Sequence, residues 1–246
     1  MGSPVKASIM ITCLGDLFFP EVGVAMVTVL RRLGVAVEFP AAQTCCGMPL
    51  FNSGYREDAA AVAARTVDVF AGAEHVVVPS GSCAWMVKTE YPGLLAHDER
   101  RRAAALDLAA RTHELSQFLV EVLGVETCAS TFTGRVTYHD SCHLLRGLGE
   151  SRSPRALLSG VKGVELVELP GADECCGFGG SFSVRLPEVS AAILAKKLDN
   201  VERTGAGCVV ACDAGCLMQM GGGLARRGSR VRPLHLAQVL AGETGA

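Results

Sequence analysis

From residue 5 to residue 12 the chain is apolar and rich in β-branched side chains, a run too short for a helix, so it predicts a buried strand of a parallel sheet. Pro20 then falls where a first helical turn tolerates proline, and Gly34 stops that helix after Leu33. Val35 to Phe39 predicts a second strand, followed by a loop. Ser53 with Glu57 resembles a capping box for a helix reaching Phe70, and Val76 to Val78 predicts a third strand. The first half therefore reads β-α-β-loop-α-β.

The same order returns. A strand near 135 to 139 is followed by a helix opened by Ser153 and Pro154, a strand at 164 to 169, a loop, a helix from Pro187 to Arg203 stopped by Gly205, and a strand at 207 to 211. Between the halves, Leu115, Phe118, Leu119, Val122 and Leu123 recur at helical spacing and predict an amphipathic connecting helix over 98 to 123, with 124 to 134 as the boundary. The fold class is α/β: two pseudo-repeated βαβ-type halves with parallel sheets. The N-terminal half with its connecting helix spans 1–124 and the C-terminal half spans 134–246.

The repeat is carried by residues as well as by pattern. Val37-Glu38-Phe39-Pro40 followed by Cys45-Cys46-Gly47 recurs as Val167-Glu168-Leu169-Pro170 followed by Cys175-Cys176-Gly177, every position displaced by 130. Cys13 and Cys142 precede these pairs by 31 and 32 intervening residues, and GAEHVVVPSGSC ending at Cys83 answers GAGCVVACDAGC ending at Cys216. Each half thus holds one early cysteine, a Cys-Cys-Gly loop and one late cysteine.

Charge excludes some partners: 23 Lys+Arg against 25 Asp+Glu leave no single-sign field for nucleic acid or an anionic membrane. Neither a long apolar run nor a signal-peptide pattern occurs, so a cytoplasmic protein is expected. In that reducing compartment, 11 cysteines in 246 residues point to metal or redox chemistry rather than to a disulfide scaffold. Mean hydropathy of +0.31 is high for a lone soluble chain and suggests apolar surface that partner subunits cover.

Cys13, Cys83, Cys142 and Cys216 all follow the carboxyl ends of predicted strands, where open α/β sheets bind ligands, and the Cys-Cys-Gly loops leave strands at the same edge. Four thiols per half could then converge: Cys13, Cys45, Cys46 and Cys83 in one, Cys142, Cys175, Cys176 and Cys216 in the other. Thiolates select zinc or an iron–sulfur cluster. Adjacent cysteines with long intervals favour the cluster, because structural zinc usually takes C-x(2–4)-C knuckles. The rival readings are buried small hydrophobes, a redox-active Cys45–Cys46 disulfide, and a zinc or thiol-switch scaffold.

The elements TCLGDLF, GVAVEFP, CCGMPLFNSGY, VVVPSGSC, DSCH, ELPGADECCGFGGSFSV and GCLMQMGG together resemble the CCG cysteine-rich iron–sulfur proteins over nearly the whole chain. That family includes the B subunit of heterodisulfide reductase and iron–sulfur subunits of glycolate and glycerol-3-phosphate oxidoreductases. The resemblance is strongest to its lactate-utilisation branch. It implies two [4Fe–4S] clusters held by the eight repeated cysteines, in an electron-transfer component of an L-lactate oxidation system that yields pyruvate alongside other proteins of the same operon. A glycolate or heterodisulfide oxidoreductase subunit is the alternative. In the heterodisulfide-type motif each half ends in C-x-x-C, whereas here Ser80 and Asp213 occupy the first position of that pair, leaving four cysteines per half. Cys212, one residue earlier than Asp213, is a candidate substitute ligand.

Other residues invite weaker readings. His139 and His143 bracket Cys142 and suit a supporting role more than ligation. Arg146 and Arg185 lie near the second cysteine set, where they could offset a cluster's charge, meet a partner or hold a carboxylate. Glu38 and Glu168 read as solvated strand-edge carboxylates, and Cys128 and Cys208 as structural. The glycine-rich stretches at 177–181 and 220–223 fit no nucleotide motif, which leaves close backbone approach as their reason.

Overall fold

Two four-stranded parallel sheets make up the computed structural model, which describes residues 3–242. In chain order the strands are β1 (Lys6–Ile9), β2 (Ala36–Glu38), β3 (His75–Val78), β4 (Thr112–Glu114), β5 (Thr131–Tyr138), β6 (Lys162–Glu168), β7 (Cys208–Ala211) and β8 (Arg232–His235). The first sheet is ordered β2-β1-β3-β4 and the second β6-β5-β7-β8, the same topology twice.

Alternation along the strands explains the layering. Ala7 and Ile9 of β1 and Val77 of β3 enter a core shared with Val136 and Tyr138 of β5 and Cys208 and Val210 of β7. The intervening residues face outward: Val76 and Val78 pack with Phe70 and Tyr91, while Val209 and Ala211 pack with Leu194 and Leu198. Helix Pro20–Arg32 and helix Leu236–Ala241 pack against each other in the shared core. Strands covered on both faces suit parallel pairing.

The predicted halves are present, with corrections at their edges. The first strand ends at Ile9, because Thr12 already caps helix Cys13–Phe18 by accepting from the Gly15 N–H. Pro20 starts its helix and Gly34 follows it with φ of 79°. The Ser53/Glu57 capping box does not form. Gly47, in the left-handed region, leads into a short helix Met48–Asn52 that ends at Ser53, and helix Arg56–Val69 starts after Tyr55 without a side-chain cap. The physical reason is spacing, since a box needs the cap and the glutamate three positions apart and these two are four apart.

The connecting helix over 98 to 123 is broken. Helix Glu99–Arg111, capped by Asp98, ends in β4, which pairs with β3, and helical structure resumes at Leu115. Thr112 closes the first helix by donating its hydroxyl to the Leu108 carbonyl and then becomes strand. The boundary stretch 124–134 likewise contains the start of β5. In the second half, helix Arg152–Ser159 carries Pro154 in its first turn and helix Pro187–Arg203 has the predicted bounds. β8 was not foreseen: its Pro233 argues against a strand, yet the edge position tolerates it.

Candidate metal centres

β1 and β3 are neighbours whose connections run in opposite directions, to β2 and to β4, and such a switch point opens a crevice beyond the carboxyl ends. The first four cysteines meet there. Cys13 opens the helix after β1, Cys45 and Cys46 lie in the loop after β2, and Cys83 sits in helix Gly81–Trp85 after β3. Cys45 Sγ lies 3.5 Å from Cys13 Sγ, and Cys46 Sγ lies 3.2 Å from Cys83 Sγ. These separations far exceed a disulfide bond, and all eleven cysteines are free thiols.

The second set repeats the first. Cys142 follows β5, Cys175 and Cys176 follow β6, and Cys216 lies in helix Ala214–Arg226 after β7. Cys142 pairs with Cys175, and Cys176 with both Cys175 and Cys216. In each half the backbone N–H of the loop glycine donates to the first loop sulfur, Gly47 to Cys45 at 3.4 Å and Gly177 to Cys175 at 3.3 Å. Gly177 needs to be glycine twice over: its φ is 87°, and a Cβ there would approach the Ser190 carbonyl to 2.6 Å.

These contacts shift the thiols in opposite directions. The Cys13 thiol, then Cys46 and the Gly47 N–H, hold Cys45 down to about 3, and the Cys142 thiol, with Cys176, holds Cys175 down to about 2. Hydrogen bonding from Cys176, with the His139 ring close by, sets Cys216 at about 6 against the opposing effect of burial. Cys13, Cys46, Cys142 and Cys176 are pushed up, chiefly by hydrogen bonding with neighbouring sulfurs. Each half therefore carries sulfur already in the anionic form that binds metal. Four convergent soft donors per half, with N–H groups aimed at sulfur, fit a zinc ion or an iron–sulfur cluster.

The two positions that depart from C-x-x-C meet each other. Ser80 donates to Asp213 Oδ1 at 2.6 Å, and Ser82 donates to the same oxygen through its hydroxyl at 2.7 Å and its backbone N–H at 3.2 Å. Ser80 in turn accepts from the Cys83 N–H at 3.2 Å. A buried polar seam thus joins the two sets.

Cys212 is placed elsewhere. It is fully buried one residue past β7, in the shared core, where its thiol meets the Tyr138 hydroxyl at 3.3 Å and lies against Glu114 rather than among the second set. Cys128 and Cys208 are buried in the same core. His143 lies 3.7 Å from Cys142 Sγ and packs on Trp85. His139, 1% exposed, shares a pocket with Cys176 and Cys216, their candidate ligand atoms all lying within 4.8 Å of one another. Arg146 donates to the Asp173 carbonyl beside the second loop, whereas Arg185 is exposed. Glu168 is not simply solvated: Arg155 joins it to the buried Asp140, at 2.9 and 2.7 Å. Apolar side chains flank both sets, with Leu17 72% exposed and Phe18 on the Cys13 helix, and Val184 80% exposed with Leu186 beyond the second loop.

A duplicated parallel α/β unit that gathers four thiols at each carboxyl edge defines a class of cysteine-rich, metal-binding proteins. The Cysteine-rich domain family model, CCG, matches residues 8–88 and again 136–221, and the chain belongs to that family. "Lactate utilization protein A" of Geobacillus thermodenitrificans is 48% identical over 236 residues, covering 96% of this chain and 98% of the relative. The protein of the same name from Bacillus subtilis is 46% identical, covering 96% and 99%. Among solved structures, a hypothetical protein from Helicobacter pylori matches all of this chain with a TM-score of 0.61 at 13% identity, which shows the shared fold, and this chain spans 50% of that one.

Proposed function

We propose that this protein is a cytoplasmic iron–sulfur electron-transfer component of a lactate-utilisation system that oxidises L-lactate to pyruvate, working with other proteins of that system. The observation that carries the reading is the pair of four-thiol sets at equivalent sheet edges, within a chain that matches lactate-utilisation relatives end to end. Bound there, two [4Fe–4S] clusters supply one-electron chemistry, and Cys13, Cys45, Cys46, Cys83, Cys142, Cys175, Cys176 and Cys216 are the residues that would hold them. The chain's own contribution is to fix the thiolates, aim the Gly47 and Gly177 N–H groups at sulfur, and keep water from the buried members Cys46, Cys83, Cys176 and Cys216. The exposed Leu17, Phe18, Val184 and Leu186 beside the sets support work against a partner surface.

Anaerobic purification with iron, acid-labile sulfide and zinc counted per chain tests this. Iron and sulfide of about eight each are expected, four per cluster. Cys46→Ser and Cys176→Ser are expected to lose about half of both and to abolish growth on lactate in a strain without another lactate dehydrogenase. Zinc without sulfide, or full iron in both variants, refutes the reading.

A further inference from the structure

The duplication invites the view that the two thiol sets are interchangeable, but their surroundings differ. β1 and β5 are matched by their hydrogen bonds: the Met10 N–H donates to the Val77 carbonyl at 3.0 Å, and the His139 N–H donates to the Val210 carbonyl at 2.8 Å. Met10 and His139 are therefore the same position, the first residue past the strand, and both are 1% exposed. A thioether offers sulfur no hydrogen, whereas a neutral imidazole carries one N–H. Both ring nitrogens of His139 are buried without a hydrogen-bond partner, and the ring lies within 4.8 Å of the Cys176 and Cys216 sulfurs. An unpaired donor at that depth is costly unless the thiolates or what they bind accept it.

A second asymmetry lies beneath the loops. Gly47 approaches the helix below it at the Ala59 carbonyl, and Gly177 approaches its helix at the Ser190 carbonyl, which aligns the buried Ala63 and Thr66 with Leu194 and Lys197. The second set thus has a buried ammonium where the first has a hydroxyl. Lys197 donates to the Gly171 and Ala172 carbonyls just ahead of Cys175 and Cys176.

Resting on the iron–sulfur reading, we propose that the two sites are electrostatically inequivalent: His139 and Lys197 make the second the more positive in potential, so that an electron shared between them resides at Cys142/Cys175/Cys176/Cys216. Hydrogen bonds to sulfur and nearby positive charge both stabilise the reduced, more negative state of such a centre. His139 and Lys197 are positioning residues, and nothing in the proposal requires either to change its protonation.

The test is a redox titration of the anaerobically prepared full chain, followed by electron paramagnetic resonance. Two separate midpoints are expected. His139→Met, which installs the first half's residue, should move only the more positive midpoint downward, by at least a tenfold change in its reduction equilibrium, or about 59 mV for one electron. Met10→His should move only the other midpoint, upward. His139→Gln, which keeps an N–H donor, should restore most of the shift, and Lys197→Met provides an independent variant should the histidine position fail to fold. Coincident midpoints in the unaltered protein, or a His139→Met protein with full iron and unmoved midpoints, overturn the inequivalence while leaving the cluster reading intact. A chain without iron or sulfide overturns both.

Discussion

Asp213 offers the sharpest test of how the two halves are joined. It is 5% exposed, and its Oδ1 accepts three hydrogen bonds, all from the opposite half. It precedes helix Ala214–Arg226 at the cap position yet makes no cap bond to it, so the carboxylate serves the seam rather than its own helix. Replacement by alanine removes three charge-assisted bonds, each worth about 1.5–3 kcal/mol in mutational series. The sum overstates the loss, because the Ser80 and Ser82 hydroxyls lie 3.0 Å apart and can satisfy one another once the carboxylate is gone. Relief of the carboxylate's desolvation offsets part of the remainder. A net destabilisation of about 2–4 kcal/mol follows, read by urea unfolding of the reduced chain. Ser80→Ala should lose about 1–2 kcal/mol, and the double variant should show coupling of at least about 1 kcal/mol, since both changes remove the same bond. Asp213→Ala within about 0.5 kcal/mol of the unaltered protein, or strict additivity with Ser80→Ala, would refute the seam as a stabilising element.

Three further outcomes follow from single features. Glu114 is fully buried with Oε1 unpartnered, and desolvation holds its carboxyl up at about 7 against the ordinary 4.5. The folded chain therefore keeps a proton that the unfolded chain releases as pH rises from 4.5 to 7, so stability falls across that window. Glu114→Gln should flatten the fall and gain up to about 3 kcal/mol at pH 8, as measured by unfolding at several pH values. Cys45 and Cys175, both partly exposed thiolates, should alkylate with iodoacetamide in the metal-free chain at rates nearly constant from pH 5 to 8, as read by peptide mass mapping. An ordinary thiol gains about tenfold per pH unit over that range, and metal loading should protect both residues. Gly81→Ala places a Cβ 2.5 Å from Leu144 Cβ across the seam and should cost about 1–3 kcal/mol, whereas Gly72→Ala, with nothing near, should be neutral in the same unfolding assay.

What could be read ahead of the structure followed from local signals that tertiary packing did not overrule. Pro20, Gly34 and the span Pro187–Arg203 stand where the sequence places them, because caps and breakers act within a few residues. The eight thiols were legible because the repeat tied each to a strand end. β4 was hidden because three residues inside a helical period give no alternation to detect, and only pairing with β3 makes Thr112–Glu114 a strand. β8 was hidden by Pro233. The seam was half-visible: the departure from C-x-x-C marked Ser80 and Asp213 as unusual, but no local rule says that residues 133 apart hydrogen-bond to one another.

The seam also explains why a duplicated unit need not behave as two independent ones. Helix Gly81–Trp85, which carries Cys83, packs against residues 143–147 just after Cys142, with the Trp85 ring tilted against that of His143. Helix Cys13–Phe18 packs against helix Ala214–Arg226, which carries Cys216. The first cysteine of each half is thus supported by the element bearing the last cysteine of the other. The shared core beneath them, from Ile9 to Tyr138, draws residues from both halves, so each set rests on packing that the other half helps to supply. Duplication supplied two equal frames, and packing them face to face made each a support for the other. Single-residue differences such as Met10 against His139 can then act on two sites held at a fixed relation.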